Sequence, residues 1–175
     1  MEINKNYFLL LLILLNISNF VLGGSINLSL RSQGHSSIRT SWIIIGERTY
    51  LLNGRGINAF AFDPSNPSVV KMLKSDTYME EPPFVKDVSV GFTSFVGEIK
   101  PRKNWVIAIV SLDDSYLNMS EDVRQWFRGY GISLSYRGSY ALVLQSNGLA
   151  LNKIAGSSST IEGSSSVLES VIVSY

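Results

Sequence analysis

Trp105 to Val110 (WVIAIV), running into Ser111, is apolar at successive positions rather than alternate ones. A strand without a polar face belongs in the middle of a sheet that is covered on both sides. Ile57 to Phe62 (INAFAF) instead alternates Ile/Ala/Ala with Asn/Phe/Phe. A turn-forming stretch, Asp63-Pro64-Ser65-Asn66-Pro67-Ser68, leads from it into Val69 to Lys74 (VVKMLK). This period of two, interrupted by turn residues, predicts a hairpin over 57–74. Ile38 to Gly46 (IRTSWIIIG), Ser139 to Gln145 (SYALVLQ) and Val167 to Val173 read as further strands. Asn53-Gly54-Arg55-Gly56 and Asn147-Gly148 read as turns.

The period lengthens to that of a helix in two places. Val85, Val88, Phe92, Phe95, Val96 and Ile99 share one helical face between Pro82-Pro83 and Pro101. Asp87 in the first turn favours the helix dipole, while Gly91 costs about 1 kcal/mol relative to Ala. Ser120 is a good N-cap for a second helix, with Glu121 and Asp122 in its first turn. Val123, Trp126, Phe127 and Tyr130 form its apolar face, and Gly129 and Gly131 stop it. Gly24 to His35 and Ile154 to Ser166 are rich in Ser and Gly and read as loose segments. The order of elements predicts an α/β fold, a mixed sandwich with two main helices over a sheet.

At the N-terminus, Lys5 precedes the apolar run Phe8 to Leu15 (FLLLLILL), and Val21-Leu22-Gly23 offers a small-residue cleavage site. This pattern predicts a signal peptide over 1–23. The run falls short of the ~20 residues of a membrane helix, so an uncleaved anchor is the alternative and no membrane span is expected after cleavage. Residues 24–37 then read as a flexible N-terminal segment and 38–175 as a single domain. The expected location is secreted, or extracellular. The sequons Asn27-Leu28-Ser29 and Asn118-Met119-Ser120 make Asn27 and Asn118 candidate glycosylation sites.

Composition removes several chemistries. The chain has no Cys, which excludes thiolate catalysis and cysteine zinc sites. With a formal net charge of +1 and no basic stripe, nucleic acid is not an expected partner. His35 is the single histidine and stands in the Ser/Gly-rich segment, away from any Ser/Asp pair for a triad. No calcium-loop or phosphate-loop pattern is present, and neither a cofactor nor a metal is called for.

What remains is the acid pair Asp113-Asp114 at the end of the central strand. Ligands of open α/β sheets gather at such strand ends, although acids beside a loop are more simply solvated turn residues or caps. Glycoside hydrolysis needs carboxyls facing each other across ~5–9.5 Å. Neighbours on a strand point to opposite faces, so a pair would require another acid, such as Glu121 or Asp76.

Several stretches occur together in a known order: NGRGIN (Asn53–Asn58) followed by Asp63-Pro64, then Ser75-Asp76-Thr77-Tyr78, then the helix ending GFTSFVGEI. They continue with the strand ending LDDS and with YRGSY (Tyr136–Tyr140) running into Ala141–Leu144. Together they resemble the ILEI/PANDER-like domain family over roughly residues 38–150. The resemblance implies a compact ββα-type sandwich. The family includes secreted cytokine-like proteins and the carbohydrate-binding stem domain of protein O-mannose N-acetylglucosaminyltransferase.

In that stem domain an acid and an arginine hold the sugar, and the matching positions here are Asp113 and Arg137, with Asp114 beside the first. Tyr140, or Tyr136, would lie against the apolar sugar face. A pyranose hydroxyl donates to a carboxylate and accepts from a guanidinium, and such charge-assisted bonds are roughly twice as strong as neutral ones. The alternative for Arg137 and Asp113 is an internal ion pair bridging two strand ends. The sequence departs from the family at Gly138 (acid), Tyr140 (Trp), Asp114 (Glu) and Ser75 (Phe), and it lacks the cysteines of the cytokine-like members. The implied function is a secreted, non-enzymatic module that recognises carbohydrate or a cell-surface glycoprotein. Cytokine-like signalling or adhesion through a protein–protein surface is the second expectation, and the residues leave the oligomeric state open.

Overall fold

A computed structural model describes residues 24–34, 41–52, 54–75, 77, 85–114, 116–156 and 166–174. The proposed signal peptide, His35, Asn53, Asp76, Tyr78 and Pro82-Pro83 lie outside the described residues. The strands are β1 (Ser25–Gly34), β2 (Ser41–Ile45), β3 (Arg48–Leu52), β4 (Gly56–Asp63) and β5 (Asn66–Ser75). Helix α1 (Val85–Ile99), strand β6 (Val106–Asp113) and helix α2 (Glu121–Gly129) follow. Strands β7 (Ser139–Gln145), β8 (Ala150–Gly156) and β9 (Ser166–Ser174) complete the order.

All eight residues of β6 are buried. It pairs antiparallel with β4 on one side and β7 on the other. Adding β5 outside β4 and β8 outside β7 gives five strands in the order β5-β4-β6-β7-β8. A second antiparallel set runs β9-β1-β2-β3. The last residues of β1 join the two sets: Gln33 and Gly34 pair in parallel with Leu112 and Asp113.

The two faces of β6 therefore enter different cores. Ile107 and Ile109 face the helices, among Phe92, Phe95, Val123 and Phe127. Val106, Ala108 and Val110 face the second sheet, among Leu28, Leu30, Ile43 and Ile45. The alternation of INAFAF follows the same division. Ala59 and Ala61 lie beneath the bulky helix aromatics, while Phe60 and Phe62 fill the space between sheets. Small residues opposite large ones allow both layers to close at interior packing density. The result is a mixed α/β sandwich of three layers: helices, a five-stranded set and a four-stranded set.

The two helices begin and end close to where their patterns place them. Ser120 caps α2, its Oγ accepting from Val123 N at 3.4 Å. The hairpin over 57–74 is present as β4 and β5, in which the φ of Gly56 is +92°. A Cβ there would lie 2.0 Å from the Ser75 carbonyl oxygen, so only glycine fits.

Three segments differ from the sequence reading. Gly24 to His35, expected to be loose and flexible, forms β1 over residues 25–34. Its Ser and Gly content hid an alternation in which Ile26, Leu28 and Leu30 point inward and are buried. Residues 48–52 form β3, which pairs with β2 after a tight turn at Gly46, φ +60°. The first part of the Ile154–Ser166 segment belongs to β8, and residues 157–165 lie outside the described set.

Candidate functional site

The C-terminal end of β6 is where β1 crosses from one sheet to the other, and three buried serines stitch the crossing. Ser32 Oγ accepts from Ser111 N and Tyr140 N, each at 3.1 Å, and lies 2.7 Å from Ser111 Oγ. Ser41 Oγ accepts from Gln33 N at 3.1 Å and donates to the Ser111 carbonyl at 2.9 Å. Strands β1, β2, β6 and β7 are thus held by hydroxyls where regular ladders cannot run. Each hydroxyl supplies one donor and two acceptors, which matches what the crossing demands. Sequence reasoning missed this node. Its one visible signal was Ser111, a lone polar residue inside a fully apolar run.

The acid pair follows directly. Asp113 is buried and has a left-handed backbone, φ +63°. That conformation costs a β-branched residue dearly and is tolerated by Asp. Asp114 is fully buried. Its Oδ1 accepts from Tyr116 N at 2.7 Å and Leu117 N at 3.2 Å, and its carbonyl accepts from the Thr77 hydroxyl at 2.7 Å. It is an Asx-type cap that shapes the loop before α2. Its second oxygen, Oδ2, is buried with no hydrogen-bond partner among the described residues.

Arg137 precedes β7 and lies at the same end of the sheet, because β6 and β7 are antiparallel neighbours. It too has a left-handed backbone, φ +54°. Left-handed non-glycine residues cluster at ligand clamps, and two of the three among the described residues stand at this rim, the third being Asn104, φ +62°, at the far end of β6. The ion pairs among the described residues involve Lys71, Arg102, Arg124 and Arg128. None joins Arg137 to Asp113, so the internal ion pair is not formed. The guanidinium lies over the Tyr136 ring, 5.0 Å from its centroid, and its Nε is buried without a partner among the described residues.

The aromatic assignment needs correction. Tyr140 is 2% exposed and packs edge-on against Phe127 at 4.9 Å, inside the helix-side core. Period two turns the ring of Tyr140 inward, so it offers no platform to a ligand. Tyr136 is 39% exposed and is the ring available at this rim.

The other acids do not gather here. Glu121 is on the exposed side of α2, bound to Arg128 at 2.6 Å and near Arg124 at 3.8 Å. The Arg128 hydrogen bond holds its carboxyl below the ordinary range. Among the described residues no group of three His, Asp or Glu side chains is placed to hold a metal. The two sequons differ in setting: Asn27 is exposed on the outer face of β1, whereas Asn118 is half-buried and its N–H donates to the Thr77 carbonyl at 3.0 Å. No described helix is long and apolar enough to cross a membrane.

Compared with models of protein families the chain matches none, and a comparison with curated proteins finds no match either.

Proposed function

We propose that Arg137 and Tyr136, standing over the buried acids Asp113 and Asp114 that shape this end of the sheet, bind carbohydrate, and that the protein is a secreted, non-enzymatic recognition module of the ILEI/PANDER-like kind. The three-layer order supports the fold assignment. The carrying observation for the site is the Arg137 guanidinium: it leans on a partly exposed tyrosine and pairs with no carboxylate among the described residues, at the strand end that holds two acids. A guanidinium over an aromatic face keeps its in-plane donors available to ligand oxygens. The Tyr136 ring offers an apolar surface of the size of a pyranose face.

A glycan array probed with wild type and with Arg137→Ala and Tyr136→Ala tests this reading. Binding to a defined set of sugars, lost in both variants while circular dichroism is unchanged, is the expected result. Absence of wild-type binding at millimolar sugar overturns it.

A second reading has its own observation. At the β3 edge of the four-stranded set Leu51 is 71% exposed beside half-buried Trp42, and at the opposite edge Ile172, paired with Asn27, is 70% exposed. Such exposed apolar edges suit a protein–protein surface of the cytokine-like or adhesive kind. Leu51→Lys with Ile172→Lys separates the two readings: it removes protein capture on cell surfaces and leaves sugar binding intact.

A further inference from the structure

The opposite end of β6 carries a feature that the sugar reading does not use. Helices α1 and α2 lie side by side with Val96 of one facing Trp126 of the other, and a cavity opens on each side of this contact. One, of about 290 Å³, is lined by Phe92, Val96, Val123 and Trp126, with Thr93 and Asp122 at its edge. The other, of about 230 Å³, continues past Val96 and Trp126 to Lys100, Tyr130 and the turn at Asn147. A third hollow adjoins it and shares Lys100 and Asn147, adding Arg102 and Lys103.

The three form one line, apolar at the Phe92 end and basic and polar at the Lys100 end. The stretch of α2 alongside, from Asp122 to Tyr130, is about 12 Å long at 1.5 Å per residue. Each cavity alone is near or below the ~300 Å³ lower limit for small-molecule clefts. Neighbouring cavities share Val96 and Trp126, then Lys100 and Asn147, so together they form a slot that is an open groove running over the Val96–Trp126 contact.

Charge fixes the direction of an occupant. Neither Lys100 nor Lys103 belongs to an ion pair among the described residues. Glu98, the acid nearest them in sequence on α1, is already held by Lys71 and by Arg102 at 3.6 Å. The helix termini here contribute only about half a negative charge each, less than these cations supply. Asp122 lies at the far end, where it repels a second anion. The Tyr130 hydroxyl, protonated at neutral pH as any phenol is, is a donor there, and burial raises its pKa further.

We infer that this slot binds a single-chain anionic amphiphile, a medium-length acyl carboxylate, with the chain laid over Val96 and Trp126, beside the Phe92–Trp126 ring contact, and the head group at Lys100. Gly97 provides a clean way to close it. The residue is on the exposed side of α1, it lines the apolar cavity, and a Cβ there would meet nothing within 4 Å. Gly97→Leu therefore adds bulk at the mouth of the apolar cavity without forcing the helix.

The experiment is calorimetric titration of the whole protein with decanoate, 1-decanol and decylammonium, all below micelle-forming concentration. Decanoate is expected to bind at one saturable site, at least tenfold tighter than decylammonium, and to change tryptophan emission. Lys100→Gln should weaken decanoate about fivefold or more while leaving 1-decanol within twofold. Gly97→Leu should abolish both, with the circular dichroism spectrum preserved. Three results overturn the proposal: no saturable decanoate binding, equal binding of decanoate and decylammonium, or unchanged decanoate affinity in folded Gly97→Leu. Should Gly97→Leu fail to fold, the Lys100→Gln comparison alone decides, and equal loss for decanoate and decanol counts against it.

Discussion

The two ends of strand β6 are built by opposite means. At the Asp113 end hydrogen bonds and backbone turns set the geometry. Three serines bond across four strands and Asp114 caps a loop; left-handed residues do not separate the two ends, since Asn104, φ +62°, stands at the other. At the Trp105 end the strand starts beneath an aromatic cluster, with Arg102 over the Trp105 ring at 4.4 Å and open space between the helices. One end is specified by hydrogen bonds and tolerates little change. The other is specified by packing around a slot and leaves room. A rigid polar rim suits directional recognition of hydroxyls, whereas an apolar slot suits a chain recognised by shape and one terminal charge.

The glycines at the two ends give the sharpest contrast. Gly56→Ala places a Cβ 2.0 Å from the Ser75 carbonyl oxygen, with φ at +92°. It should destabilise the protein by about 4 kcal/mol or more, and urea denaturation should show little folded protein. Gly97→Ala at the other end meets nothing and should be neutral or stabilising by up to ~1 kcal/mol. Similar midpoints for the two variants would break the contrast.

Next in size is the serine node. Ser32→Ala removes the acceptor of two buried N–H groups and should cost about 1–3 kcal/mol. Ser111→Ala should fall in the same range, and the double variant should cost less than the two single costs added, since the hydroxyls share partners. Additive costs in a double-mutant cycle would show that the serines act independently.

Loss of the α2 cap is smaller: Ser120→Ala should cost ~1 kcal/mol, read as a fall in the thermal midpoint. The least effect belongs to Glu121. Its carboxyl pKa is lowered mainly by the hydrogen bond from Arg128. The stability it adds is therefore complete above the ordinary carboxylate range and is lost as pH falls through the lowered value. The stability gap between wild type and Glu121→Gln should be present at neutral pH and vanish on acidification. A gap that widens in acid would contradict this sign. Because Glu121 is exposed, added salt should also shrink the gap.

Much of the architecture was legible because it rests on short-range pattern. Unbroken apolarity placed β6 between two cores, period two gave the β4–β5 hairpin, and Ser120 marked the start of α2. The failure at β1 has the same root. Serine and glycine outweighed the Ile26, Leu28, Leu30 alternation in the reading, although that alternation was in plain view. The site was less legible. Asp113, Asp114 and Arg137 do lie at one end of the sheet, but no spacing in the sequence indicated that Arg137 would rest on Tyr136 instead of pairing with Asp113. Nor did it show that Tyr140 would turn its ring into the core.

The amino-acid sequence by itself determined the local elements and the two-sided burial of the central strand, because hydrophobic period and capping act over a few residues. Only the tertiary structure decided how β1 crosses between sheets, which serines meet there, which tyrosine remains exposed and that cavities open along the contact between the helices. Those features depend on contacts between residues as far apart as Ser32 and Tyr140, and no local pattern encodes a distance of that kind.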